Sequence, residues 1–78
     1  MNKKKYVKEL IHSTERELVN CEVQCWVYQR EVNNPTSISK AEAEESLKTY
    51  QKQCGHLKVR IEVYKEYAVN LSLESEHV

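Results

Sequence analysis

Residues 43–71 read AEESLKTYQKQCGHLKVRIEVYKEYAVNL, and this stretch decides the fold. Ala43, Leu47, Tyr50, Cys54, Leu57, Ile61, Tyr64, Ala68 and Leu71 recur in alternating steps of four and three. A seven-residue repeat of this kind keeps one apolar stripe on one side of an α-helix, where it packs as a coiled-coil seam. Between the stripe positions the sequence is rich in Glu, Lys and Gln, which lose little freedom in a helix.

Upstream of this stretch, Ser39 followed by Glu42 has the spacing of a capping box, and Ile38 and Ala43 are placed as a hydrophobic staple. The helix is therefore expected over residues 39–71, with a frayed tail at 72–78. Before it stands Asn33-Asn34-Pro35-Thr36-Ser37, a cluster of turn formers in which Pro35 disfavours helix at Asn34. A weaker copy of the seam precedes the turn: Val7, Ile11, Thr14, Leu18, Cys21, Cys25, Tyr28 and Val32. The prediction is a single all-α domain over 1–78. It comprises a helix at 4–32, a turn at 33–38 and a second helix, folded as an antiparallel hairpin with a coiled-coil-like seam.

The two seams test each other. If the chain reverses at Pro35, pairing Val32 with Ala43 sets every other layer. Tyr28 then faces Leu47, Cys25 faces Tyr50, Cys21 faces Cys54, Leu18 faces Leu57, Thr14 faces Ile61, Ile11 faces Tyr64 and Val7 faces Ala68. Each layer joins a seam residue to a seam residue. Flanking charges agree, with Glu17 beside Arg60 and Glu15 beside Lys58, while Lys8 beside Lys65 is a mismatch. Such pairs contribute only a few tenths of a kcal/mol each, but they discriminate against slipped registers.

Composition narrows the function classes. The 78 residues carry 12 basic and 12 acidic side chains, every acid being Glu. This balance argues against a dedicated nucleic-acid binder. The N-terminal Lys3, Lys4, Lys5 and Lys8 read as a solvated end, which leaves nucleic acid, the third reading, a weak grip at most. No run approaches the roughly 20 apolar residues of a membrane span, and no membrane partner is expected. Three cysteines without framework spacing suit a reducing compartment, so the expected location is cytoplasmic.

Catalytic and metal chemistry finds no foothold. Cys21, Cys25 and Cys54 fall in neighbouring seam layers, but zinc requires a fourth ligand. His56 is turned about 200° from Cys54, and His12 lies more than two turns from Cys21. The cysteines read as core packing with free thiols, no metal or cofactor is expected, and the chain reads as no enzyme. The isolated Gly55, off the seam, suggests close approach of another helix, a slight bend, or tolerated drift.

Some apolar residues remain outside the seam. Val19, Val23 and Trp26, with Val27 beside them, make a stripe on the opposite face of the first helix, bounded by Arg16 and Arg30. A Trp in such a setting, with Arg at the edge, is typical of protein-binding surfaces. On the second helix Val59 and Val63 also point away from the seam, near His56 and Tyr67. Self-association into a homodimeric four-helix bundle would cover these stripes. The resulting expectation is a non-catalytic interaction module that regulates or inhibits an unidentified protein partner through an exposed helix face. A structural piece acting through self-association is the alternative. The short, Lys/Glu-rich composition suits a bacterial or phage accessory protein.

Overall fold

A computed structural model describes the backbone of residues 2–76 and the side chains of residues 2–73. Two helices, α1 (Lys3–Asn33) and α2 (Lys40–Glu76), pack against each other as a hairpin, and the described residues form a rod of 60 × 15 × 15 Å.

Local chemistry explains the ends. Asn2, in extended backbone, caps α1 by accepting a hydrogen bond on its side chain from the Lys5 amide at 3.1 Å. At the other end the Asn34 amide donates to the Arg30 carbonyl at 2.8 Å. Asn34 (φ −148°, ψ 80°) has left the helical region, which a following proline disfavours. The turn is drawn in by Glu31, whose carboxylate accepts from the Thr36 amide at 2.9 Å and from the Thr36 hydroxyl at 2.6 Å. These two bonds hold the Glu31 carboxyl below its usual range. The Ser39 cap expected from sequence is formed, with the Glu42 amide donating to the Ser39 hydroxyl at 3.2 Å.

Boundaries differ from the sequence expectation mainly at the C-terminus. α2 continues past Leu71 to Glu76, and residues 77–78 of the expected tail lie outside the described ones. Nothing in Ser72-Leu73-Glu74-Ser75-Glu76 breaks a helix, since neither Gly nor Pro occurs there.

The core lies along the predicted seam. Val7, Thr14 and Cys21 of α1 and Ala43, Cys54, Leu57 and Ile61 of α2 are buried, and the remaining seam positions are half-buried. Thr14, polar within the seam, donates its hydroxyl to the Leu10 carbonyl at 2.8 Å and so meets no desolvation penalty.

Register also follows the sequence. Cys21, Cys54 and Leu57 form one buried cluster, with Leu18, Cys25 and Tyr50 packed against it. Several contacts within this register run diagonally between layers. The Cys25 thiol meets the Cys54 thiol at 3.8 Å, the Cys21 thiol donates to the Tyr50 carbonyl at 3.1 Å, and Tyr28 stacks on Tyr50 with centroids 5.6 Å apart. Knobs inserting into holes touch the layers above and below, so diagonals are what a packed seam produces. Among the described residues no ion pair closes between Glu17 and Arg60 or between Glu15 and Lys58. Long solvated side chains gain little by fixing one geometry.

Candidate functional site

Helical spacing alone places Val19, Val23 and Trp26 on one line, because residues three and four apart share a helix face. Since the α1 seam faces α2, this line looks into solvent. Val19, Val23, Trp26 and Val27 are all exposed, Trp26 at 79 %. Arg16 and Arg30 are exposed at the two ends of the stripe, as the sequence placed them. Each end opens into a shallow depression. Glu15, Arg16, Val19 and Asn20 line one, and Trp26, Gln29, Arg30, Asn33 and Asn34 line the other. The stripe is thus a low apolar ridge, with a guanidinium at each end able to meet a carboxylate.

The second face extends onto α1 at one end. His56, Val59, Val63 and Tyr67 are all exposed on α2. Val63 and Tyr67, however, join Tyr6 and Leu10 of α1 around a notch of about 410 Å3 at the open end of the hairpin, with Val7, Tyr64 and Lys3 completing it. His56 and Val59 lie outside that notch. Tyr6 and Leu10 were not singled out from sequence, although a signal existed. They are four apart and each adjoins a seam residue, so they belong on the edge that flanks the seam.

A third groove, near the turn, is lined by Tyr28, Ile38, Glu42, Glu45, Ser46, Thr49, Tyr50 and Gln53. It encloses about 580 Å3, and its walls mix the Glu42 and Glu45 carboxylates with amide, hydroxyl and phenol groups.

The thiols are the remaining chemistry-bearing groups. Burial pushes the Cys21 thiol up to about 12, and the neighbouring Cys54 and Cys25 thiols push it further in the same direction. Cys25 is also raised, again chiefly by burial and then by Cys54. Both are protonated at neutral pH and are weak nucleophiles there. Among the described residues, no group of three or more His, Cys, Asp or Glu side chains is arranged to hold a metal ion. No described helix is long and apolar enough to cross a membrane. No protein-family model, curated protein or solved structure matches the chain.

Proposed function

We propose that this protein is a non-catalytic interaction module that regulates or inhibits a partner protein by presenting the Val19–Val23–Trp26 face of α1. The observation that carries the reading is Trp26, 79 % exposed inside a contiguous apolar ridge on a helix already partnered on its other side. Aromatic anchors surrounded by aliphatic contacts, with Arg at the edge, dominate the energetics of protein interfaces. The partner surface complementary to this ridge is an apolar groove with acidic residues at its rim, facing Arg16 and Arg30. A cytoplasmic setting is consistent with three cysteines that remain free thiols.

Self-association is the second reading, and one observation favours it. Among the described residues no large side chain is fully buried. A domain of this size usually draws stability from oligomerisation or other staples. Two hairpins meeting through their Trp faces would form a four-helix bundle and supply that core.

Trp26→Glu tests both. The substitution leaves the seam intact, so far-ultraviolet circular dichroism should stay helical, while the charge placed in the ridge abolishes association. Sedimentation and capture of binding proteins from the native host, with wild type and variant in parallel, read out the effect. A monomeric wild type whose partner capture is unchanged by Trp26→Glu would remove the ridge as the working surface.

A further inference from the structure

We propose that Cys25 and Cys54 form a disulfide site that ties α1 to α2 at mid-seam when the protein meets a small-molecule disulfide such as oxidised glutathione. The two sulfurs sit on opposite helices, 29 residues apart in sequence, and already touch at 3.8 Å. Moving them to the roughly 2.05 Å of a disulfide is a shift of under about 2 Å, within reach of side-chain rotation and small helix adjustments. Cys21 also lies beside Cys54 in the buried cluster, but its thiol donates to the Tyr50 carbonyl at 3.1 Å, whereas Cys25 and Cys54 meet sulfur to sulfur. Cys25 is half-buried while Cys21 and Cys54 are buried, so Cys25 is the thiol that an external reagent reaches first.

The chemistry balances as thiol–disulfide exchange. The Cys25 thiolate attacks one sulfur of the external disulfide, whose S–S bond breaks and releases one small thiolate. The Cys54 thiolate then attacks the Cys25 sulfur of the mixed disulfide, forms the Cys25–Cys54 bond and expels the second small thiolate. The two protons lost by the cysteines neutralise the two released thiolates, so the protein loses two electrons and the external disulfide gains them. Burial raises the Cys25 thiol and keeps it protonated, so its attack is slow at neutral pH and accelerates by up to about tenfold per pH unit above it. The link closes a loop containing the whole turn, which restricts the unfolded chain and stops the hairpin from splaying.

The test incubates the reduced full-length chain with oxidised glutathione at mildly alkaline pH. Intact mass should fall by about 2 Da without dimer formation. Cleavage after Glu22 separates Cys21 from Cys25, so peptide mapping assigns the link directly on wild type. The oxidised protein should melt about 10 °C higher, reversed by dithiothreitol. Cys21→Ser should link normally, whereas Cys25→Ser, checked for helicity, should lose the Cys54 cross-link. A link through Cys21, a glutathione adduct that Cys54 fails to resolve, or intermolecular dimers alone would each overturn the proposal.

Discussion

At the scale of single residues the seam shows how burial decides what a polarisable side chain does. Cys21 sits at 5 % exposure and holds its proton to about 12. It therefore behaves as a small hydrophobe with a weak S–H donor, satisfied by the Tyr50 carbonyl. The shift has a thermodynamic consequence with a definite sign. The unfolded chain releases this proton near about 8.5 and the folded chain only near 12, so the folded state binds more protons in between. Stability from this group is fully present below about pH 8.5 and is lost progressively as pH rises towards 12. Melting wild type and Cys21→Ala across that range should show a steeper alkaline fall for wild type. Tyr and Lys titrations are common to both proteins and cancel in the difference. Parallel curves would mean that the Cys21 thiol is not the source.

At the scale of the helices, pattern and propensity were legible because they repeat. Every seam position of α2 read from residues 43–71 is buried or half-buried, and those of the weaker α1 copy are too. The Ser39 cap and the Pro35 break were equally legible, since each rests on local chemistry. Single events without a period were not. The Asn2 cap precedes Lys3-Lys4-Lys5, cations that oppose the helix dipole and make a poor start signal. The Glu31–Thr36 clasp joins a helix end to a turn in a geometry that spacing does not specify. Gly55 was legible as an anomaly, and the structure gives it a direction. A methyl group there would meet nothing within 4 Å inside the hairpin. Gly55→Ala should therefore stabilise the isolated protein by about 1 kcal/mol, or roughly 4–8 °C in Tm. The same change read by sedimentation separates drift from function. If another helix docks against that bare backbone, association weakens while the monomer gains stability.

At the scale of the whole molecule the rod carries its two apolar faces on different surfaces, and they differed in legibility for a geometric reason. The Val19–Val23–Trp26 ridge lies on one helix, so helical spacing alone assembles it. The notch is built from both helices, and Tyr6 and Leu10 reach Val63 and Tyr67 only because the edges of the seam face each other. The side chains at their edges differ as well. Arg16 and Arg30 bound the ridge, whereas the notch has Lys3 and three tyrosines around it. The stability of a rod that leaves Trp26 in water should depend on what covers it. If copies of the chain do so, Tm rises with protein concentration, because association draws on the folded state alone. Between about 1 and 100 µM, wild type should then gain several degrees and Trp26→Glu should stay flat. Val63→Glu places the same charge in the notch and should follow wild type if the ridge is the association face. The reverse outcome, a flat Val63→Glu and a concentration-dependent Trp26→Glu, would move the interface to the open end of the hairpin. There Tyr6 and Tyr67 would become its aromatic anchors.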